Sequence, residues 1–261
     1  MSEPVHGARI LATRRREKLI GDVLETEFRP ADMAAAYAMQ DALVEELLRE
    51  HGGERIGHKI AFTNEVIQEF LRVDGPASGV LLSQSTFKSP VVLPAAKFTA
   101  RCIETEFAFQ MKGDVPTDVE HTAESIADYV GAMLPGIEIV EHGFSDWEGA
   151  GAALITADNA THGAWVHGEP TDLWRTLDLV EHEARLWVNG EVALTGDGSK
   201  VLGSPLNVLA WLANHLPRYG KSLRAGEYVT TGVCTDVYLA EGPCELVADF
   251  GVLGKVELSF E

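Results

Sequence analysis

The chain has 261 residues, a length that fits one domain better than two, and its 46% hydrophobic and 23% charged residues are typical of a globular protein. Its 21 basic and 40 acidic residues give a net charge of −19, which disfavours nucleic acid and acidic membrane surfaces as partners. No apolar run approaches the roughly 18 residues that span a bilayer. Three cysteines without a C-x-x-C pair argue against a disulfide framework and a cysteine zinc site, so we expect a cytoplasmic protein.

Helical patterns dominate the first third of the chain. Residues 30–51 carry apolar side chains at spacings of three and four, which predicts a helix that ends at Gly52. A shorter helix is predicted to follow Thr63 or Asn64, because either side chain can cap a helix. The turn residues Asp74-Gly75-Pro76 are expected to end that helix.

Strand patterns dominate from residue 91 onward. Residues 103–109 and residues 137–140 alternate between apolar side chains and polar or charged ones, which is the period of a β-strand. Between these two runs, Thr122 can cap a helix that we expect to extend through Leu134.

The last third of the chain predicts a hairpin, one helix and several short strands. Asn189-Gly190 supplies the positive φ angles of a type I′ turn, and Ser204-Pro205 combines a helix cap with a proline at the first helical position. Residues 227–260 have the pattern of short strands separated by glycines. We therefore expect an α+β fold in which a helical N-terminal part, residues 1–90, packs on a β-rich catalytic body, residues 91–261.

Three glutamates lie where strand patterns make carboxylates costly. Glu104 and Glu106 share one face of a strand, about 7 Å apart, and repel each other. Glu138 lies in an apolar strand, where a lone carboxylate needs a partner or a metal. A hard cation such as Mg²⁺ or Mn²⁺ would convert this repulsion into binding. The alternative is a solvated strand face for the first two glutamates and an edge strand for the third.

Lys59, the loop at residues 158–163 and His142 are further candidates. Lys59 has apolar neighbours, so it is either an acid or base, a group that holds an anionic substrate, or an ordinary surface lysine. The polar loop can donate hydrogen bonds to a ligand or form an ordinary Asx turn. His142 is close to Glu138 in sequence, although a structural role fits it better. No P-loop, dinucleotide-binding or nucleophile-elbow motif is present.

An ordered set of short motifs resembles one enzyme family. The set resembles the 2-hydroxypentadienoate hydratase and 4-oxalocrotonate decarboxylase branch of the fumarylacetoacetate hydrolase superfamily, from about residue 30 to the end of the chain. Each motif alone is weak, but their order is specific. The motifs are Gly57-His58-Lys59-Ile60, Val73-Asp74-Gly75-Pro76, Glu104-Thr105-Glu106-Phe107, Ile137-Glu138-Ile139-Val140, Asp146-Trp147, Ala157-Asp158-Asn159-Ala160 and Gly226-Glu227-Tyr228-Val229.

The resemblance implies a mixed β-sandwich or β-roll body with a Mg²⁺ or Mn²⁺ site. The implied metal ligands are Glu104, Glu106 and Glu138, the implied catalytic residue is Lys59, and the implied substrate-binding residues are Asp74, Ser78, Asp158 and Thr161. The substrates of the family are 2-oxo or 2-hydroxy-dienoic acids from aromatic catabolism, whose enolate a metal can stabilise. The resemblance also implies a homo-oligomer and an association with a pathway decarboxylase.

Several residues depart from the family pattern. Ala77 and Ser78 stand in a segment that often reads P-D-F-G in the hydratases, so a polar site residue is missing. His142-Gly143 replaces a common Ser-Arg. These departures leave the predicted metal site intact but affect the substrate and the protonating group.

The family supports more than one reaction, and we expect hydration of a monocarboxylate dienoate. A decarboxylase must hold a second carboxylate, yet the expected Arg is Gly143, and Arg72 and Arg101 can equally face solvent. An acylpyruvate C–C hydrolase needs a Glu-His pair, and no His lies between Lys59 and Asp74. A decarboxylase, a hydrolase and a non-enzymatic partner of a decarboxylase are the alternatives.

Overall fold

The computed structural model describes residues 3–261. The α-helices of this range are α1 (Glu3–Glu17), α2 (Met33–His51), α3 (Glu65–Leu71), α4 (Ala123–Ala127), α5 (Trp147–Ala157) and α6 (Pro205–His215). The β-strands are β1 (Arg55–Ala61), β2 (Ala77–Leu82), β3 (Thr86–Lys88), β4 (Val91–Leu93), β5 (Cys102–Met111), β6 (Val130–Val140), β7 (His162–His167), β8 (Glu183–Val188), β9 (Glu191–Asp197), β10 (Tyr228–Val233), β11 (Tyr238–Leu239), β12 (Cys244–Asp249) and β13 (Lys255–Phe260). Within residues 3–261, every helix is too short or too polar to cross a membrane.

Two β-sheets form the body of the protein. The larger has eight strands in the order β2-β1-β10-β5-β6-β7-β3, with β11 added beside β5. The smaller has five strands in the order β4-β13-β12-β8-β9. Both sheets contribute to the main apolar core, which joins Phe107 and Ile139 of the larger sheet to Leu246 and Leu258 of the smaller one. This architecture is the α+β arrangement of sheets that the family resemblance implied.

A second apolar core holds the helices together. It joins Leu11 of α1, Leu43 of α2 and Leu154 of α5, all of which are at most 2% exposed. This core places the C-terminal end of α5 next to the larger sheet, because the residues that follow α5 contact β1 and β2.

The pairing of β5 with β6 sets the geometry of the candidate site. The two strands are antiparallel, and the register places Glu104 directly opposite Glu138. Ile103, Phe107 and Phe109 lie in the main core, so Glu104 and Glu106 are on the other face of β5, as the alternating pattern predicted.

Most of the local predictions are confirmed. Helix α2 ends at Gly52, which adopts a positive φ of 72°, and α3 is capped by the side chain of Asn64. Asn189 and Gly190 have φ angles of 51° and 85° in the hairpin between β8 and β9. Ser204 caps α6.

The predicted helix from Thr122 to Leu134 is wrong. Thr122 does cap a helix, but α4 ends at Ala127, and β6 begins at Val130. The physical reason is pairing: β6 aligns with β5 along its full length, from Val130 opposite Met111 to Val140 opposite Cys102. Local helix propensity is a weak preference that such long-range pairing overrides.

The first 90 residues are less helical than we expected. Strands β1 and β2 lie in this range, and β1 pairs in parallel with β10 from the C-terminal part. The larger sheet therefore extends across the predicted boundary after residue 90, and a domain limit at that position stays a prediction.

Candidate active site

Three glutamates converge on one face of the larger sheet. Glu104 and Glu138 are cross-strand partners, and Glu106 is two residues further along β5 on the same face. One carboxylate oxygen of each glutamate lies within 4.8 Å of the other two. Glu106 and Glu138 are fully buried, whereas Glu104 is half-buried. The sheet thus brings the three predicted ligands together.

Burial and the neighbouring charges shift the pKa values of these carboxylates in opposite directions. Burial, followed by the charge of Glu138, raises the pKa of Glu104 to about 7 even though Lys59 opposes the shift. Burial and the neighbouring carboxylates raise the pKa of Glu106 well above its usual range. Burial alone would raise the pKa of Glu138, but Lys59 and His162 outweigh it and lower that pKa to about 2. Glu138 is therefore the carboxylate that stays ionised.

Lys59 supplies the buried positive charge of this site. It lies on β1 and is 2% exposed, so it is not a surface lysine. Its Nζ atom is 3.2 Å from Oε2 of Glu138 and donates a hydrogen bond of 3.1 Å to the carbonyl of Ala160. Burial would lower the pKa of Lys59, but the charge of Glu138 and of the two other glutamates outweighs it and raises that pKa. Lys59 is therefore held as a cation.

The segment around Ala160, whose carbonyl accepts the hydrogen bond from Lys59, has an unusual backbone. Asn159, Ala160 and Thr161 have consecutive positive φ angles of 52°, 48° and 55°, which non-glycine residues rarely adopt. The Asn159 side chain stabilises this left-handed segment by accepting from the N–H of Val80 at 2.7 Å and donating to its carbonyl at 2.9 Å. Such backbone strain is concentrated at functional sites.

Two further groups orient the glutamates. Nδ1 of His162 donates to Oε1 of Glu138 at 2.8 Å, and the N–H of Gly232 donates to Oε2 of Glu106 at 2.7 Å. His162 is 3% exposed, so this histidine is as buried as the carboxylate it contacts. Each of these hydrogen bonds fixes the orientation of one carboxylate from outside the group of three glutamates. Surrounding residues orient the ligands of metal sites in this way.

The residues present fit a divalent metal ion. Within residues 3–261, no hydrogen-bond donor reaches Oε1 of Glu106, although that oxygen is buried. A buried carboxylate oxygen without a donor is costly unless a cation binds it. Oxygen ligands from carboxylates are those that Mg²⁺ and Mn²⁺ prefer. Glu104, Glu106 and Glu138 are therefore able to hold such an ion.

An apolar cavity of about 350 Å³ opens over this site. Lys59, Glu104 and Thr161 line it, together with His142 and Trp147. Much of the remaining lining is apolar, including Phe62, Ile67, Val140, Val233 and Val237. No arginine of residues 3–261 lines this cavity. The cavity thus offers a small ligand one cationic group and an apolar wall.

The structure brings only some of the predicted site residues to this cavity. Lys59, the three glutamates and Thr161 lie together, with the Thr161 hydroxyl donating to the carbonyl of Ala160 at 2.7 Å. Asp74 lines a different cavity, beside Arg72 and Arg218. Asp158 is 3% exposed and pairs with Arg15.

Ser78 lies on the wrong face of β2 to reach the cavity. It pairs with Ile60, whereas Ala77 pairs with Ala61 and Gly79 pairs with Lys59. Because residues alternate between the two faces, Ala77 shares the face of Lys59 and Ser78 does not. As substrate-binding residues, Asp74, Ser78 and Asp158 stay predictions that this geometry does not favour.

Sequence reasoning missed several residues of the site. Arg15 contacts the left-handed segment and Gly232 contacts Glu106, yet neither stands in a local pattern that signals this contact. His162 belongs to the polar loop at residues 158–163, but that pattern does not indicate its hydrogen bond to Glu138. His142 was interpreted as structural, but it lines the cavity. The signal that was available for His142 is its closeness in sequence to Glu138, which lies four residues before it.

The fold and the site define an α+β protein in which buried carboxylates and a lysine lie beneath an apolar cavity. The chain belongs to the fumarylacetoacetate hydrolase family, because the sequence model described as "Fumarylacetoacetate (FAA) hydrolase C-terminal" matches residues 72–256. The resemblance seen in the sequence is thereby confirmed.

Relatives of known name cover most of the chain. It is similar to the 2-keto-4-pentenoate hydratase of Burkholderia vietnamiensis (strain G4 / LMG 22486), with 32% identity over 230 residues, 88% of this chain and 86% of that protein. It is also similar to the 2-hydroxyhexa-2,4-dienoate hydratase of Comamonas testosteroni, with 35% identity over 188 residues, 71% of this chain and 70% of that protein. Among solved structures, the 4-oxalocrotonate decarboxylase from Pseudomonas putida G7 complexed with magnesium and adipate has a TM-score of 0.90 at 21% identity, covering 99% of this chain and 97% of that chain.

Proposed function

We propose that this protein is a metal-dependent hydratase, a lyase that adds water to a 2-hydroxy-2,4-dienoate by way of its 2-oxo-enoate tautomer. The product is a 4-hydroxy-2-oxo acid, and the reaction belongs to the catabolism of aromatic compounds. The observation that carries the proposal is the convergence of Glu104, Glu106 and Glu138 with Lys59 beneath one apolar cavity. The hydratase names of relatives that cover most of the chain support it.

A Mg²⁺ or Mn²⁺ ion held by Glu104, Glu106 and Glu138 would supply Lewis-acid chemistry to the 2-oxo group of the substrate. Lys59 supplies a cation beside the three glutamates. Its protonated Nζ can attract the substrate carboxylate or deliver a proton to carbon. The carbonyl of Ala160 and the carboxylate of Glu138 orient that Nζ. Phe62, Val140 and Trp147 line the cavity, and their apolar side chains would shield the diene of a bound substrate from bulk water.

The cavity lining favours hydration over decarboxylation. A 4-oxalocrotonate-type substrate carries a second carboxylate, which needs its own cation or donor cluster. Arg101 is directed away, since it donates to the carbonyl of Gly242 and packs on the ring of Phe260. Arg72 is 85% exposed and lines a different cavity. A monocarboxylate dienoate therefore fits the single lysine best, whereas the second carboxylate of a decarboxylase substrate has no cation of its own among the described residues of the cavity. An acylpyruvate hydrolase needs a Glu-His pair, and no His lies between Lys59 and Asp74.

The decisive experiment compares two substrates on the purified protein. Diene absorbance and CO₂ release are followed together with 2-hydroxypenta-2,4-dienoate and, separately, with 4-oxalocrotonate. We expect the diene of the monocarboxylate to disappear without CO₂. Exhaustive chelation should abolish this turnover, and Mg²⁺ or Mn²⁺ should restore it. Rapid CO₂ release from the dicarboxylate without hydration of the monocarboxylate would establish the decarboxylase instead, and full activity in excess chelator would refute the metal requirement.

We also propose that the enzyme is cytoplasmic and assembles as a homo-oligomer. All three cysteines are free thiols, which is the usual state in a reducing cytoplasm. Val66 and Phe70 on α3 are 80% and 48% exposed, and this apolar pair supports contact with another copy of the chain in a homo-oligomer. Association with a pathway decarboxylase is part of the same proposal. Light scattering of the protein alone, and after mixing with such a decarboxylase, tests both assemblies.

A further inference from the structure

We propose that His142 is a catalytic residue of this enzyme, and that Nε2 of its imidazole takes the proton from the water that adds to the substrate. This inference rests on the proposed hydratase function and adds to it a general base. Nothing in the resemblance implies a histidine here, because the family commonly has Ser at this position.

The cavity lining places His142 next to the candidate metal site. Strand β6 ends at Val140, and His142 lies two residues beyond it. Both residues line the cavity together with Lys59 and Glu104, whereas Glu138 lies beneath it. The histidine is therefore suited to act at the distal carbons of a dienoate whose 2-oxo end lies at the glutamates.

The hydrogen bond of the ring leaves one nitrogen free for a ligand. Nδ1 of His142 lies 3.0 Å from the carbonyl oxygen of Phe144. A carbonyl can only accept, so Nδ1 carries the hydrogen, and Nε2 of the neutral ring is left with an unshared electron pair. The ring is also held by the indole of Trp147, whose centroid is 5.5 Å away at an interplanar angle of 88°.

The charges around His142 leave the ring able to act as a base. Lys59 and Glu104 share the catalytic cavity with it. Arg14, Arg15, Glu141 and Asp158 line a smaller cavity on its other side. Burial lowers the pKa of His142, although the Phe144 carbonyl and Glu141 oppose the shift. The lowered pKa favours the neutral ring, which is the state that accepts a proton.

The proton transfer balances without any further reactant. The oxygen of water forms a bond to C4 of the 2-oxo-3-enoate, and one water proton passes to Nε2. The electron pair of the C3–C4 double bond moves to give the C2 enolate. The imidazolium then returns a proton to C3, either directly or by reprotonating a Lys59 that has donated its own, which yields the 4-hydroxy-2-oxo acid and restores the neutral ring.

The chemistry of the cavity lining also favours His142 as the base. Among the described side chains that line the cavity, its imidazole is the strongest neutral base.

The test uses His142→Asn and His142→Gln in the metal-loaded enzyme, with His51→Gln on the exposed end of α2 as the matched control. Asn retains a donor for the Phe144 carbonyl but has no basic nitrogen. We expect kcat for 2-hydroxypenta-2,4-dienoate to fall about 10²–10³-fold in both variants, with KM changed less than about threefold. The acid limb of the pH profile of kcat should disappear, and added imidazole should restore part of the rate. Mn²⁺ affinity and thermal stability should match the wild type.

Three results would overturn the inference. A wild-type kcat and an unchanged pH profile in either folded variant would show that His142 carries no proton. An increase in KM alone would make it a binding residue. A wild-type protein that hydrates no dienoate would refute the proposed function, and the role of His142 with it, which separates that failure from the first two.

Discussion

Arg15 of α1 and Asp158, the residue that follows α5, form a buried ion pair with 2.7 Å between Nε and Oδ1. Their side chains are 14% and 4% exposed. Arg15 also donates to the carbonyls of Asp158 and His162, at 2.7 and 2.8 Å. These bonds hold both ends of the left-handed segment that carries Ala160 and Thr161. The first helix therefore stabilises the backbone that positions Lys59.

Replacing Arg15 should destabilise the protein strongly. Arg15→Met leaves the buried carboxylate of Asp158 without a counter-charge, which costs about 3–5 kcal/mol when one partner of a buried pair is removed. The free energy of unfolding, measured with urea, should fall by that amount. Arg16→Met on the same helix, at a side chain that is 49% exposed, should change it by less than about 1 kcal/mol.

A double variant provides the control for this pair. Arg15→Met combined with Asp158→Asn removes both charges, so part of the lost stability should return. Equal losses in the single and double variants would mean that packing of the Arg15 side chain, rather than its charge, holds the segment.

This ion pair also illustrates what the sequence could not reveal. The alternation in residues 103–109 was enough to place Glu104 and Glu106 on one face, because the period of a strand is local information. The partnership of Arg15 with Asp158 depends on how α1 packs across the sheet, and no local pattern encodes it. The same reason explains the error at residues 128–134, where pairing with β5 decided the structure. The position of Ser78 relative to the cavity likewise depends on the register of β2 against β1, which the sequence does not reveal.

Lys59→Met should reduce catalysis without loss of the fold in the presence of metal. Removal of the cation eliminates both its charge and its proton, and the loss of a general acid or base lowers kcat by about 10²–10⁴. Steady-state kinetics with saturating Mg²⁺ measures it. Lys88→Met, at a side chain that is 60% exposed, is the matched control and should keep the wild-type rate. A change confined to KM would make Lys59 a binding group.

The metal-free form of Lys59→Met should also be less stable. Without Lys59, the carboxylates of Glu104, Glu106 and Glu138 face one another with no buried lysine to compensate them. A bound divalent ion would replace that compensation, so Mg²⁺ should raise the melting temperature of the variant more than that of the wild type. An equal metal-induced increase in both proteins would argue against metal binding at this triad.

Glu106→Gln should weaken metal binding while preserving the fold. The amide oxygen of Gln can still accept from the N–H of Gly232, so the local backbone keeps its hydrogen bond. Loss of one charged ligand should raise the Kd for Mn²⁺ by about tenfold or more, as changes around metal sites commonly do. Titration with Mn²⁺ followed by electron paramagnetic resonance measures the affinity. The apo protein should be about as stable as the wild type, because burial and the neighbouring carboxylates already disfavour the charged form of Glu106 when no metal is bound.

The control for this variant is Glu245→Gln, at an exposed position of β12. It changes the net charge by the same amount without altering the site, so its Mn²⁺ affinity should equal that of the wild type. An unchanged affinity in Glu106→Gln would exclude Glu106 as a ligand.

The stability of the protein should depend on pH through the buried His58. Burial, with smaller contributions from Lys221 and Arg55, lowers the pKa of His58 to about 4, and only Asp41 and a backbone group oppose the shift. An unfolded histidine titrates near pH 6.5. Above that pH, His58 is neutral in both states and contributes no pH dependence. Between about pH 6.5 and pH 4, the unfolded chain binds a proton that the folded chain excludes, so the free energy of unfolding falls as the pH falls, by at most about 3 kcal/mol.

His58→Gln should flatten this part of the stability curve measured by urea denaturation, whereas His6→Gln, at an exposed position of α1, should leave its slope unchanged. Parallel curves for wild type and His58→Gln would mean that His58 is protonated in the folded protein and that another group controls the acid sensitivity.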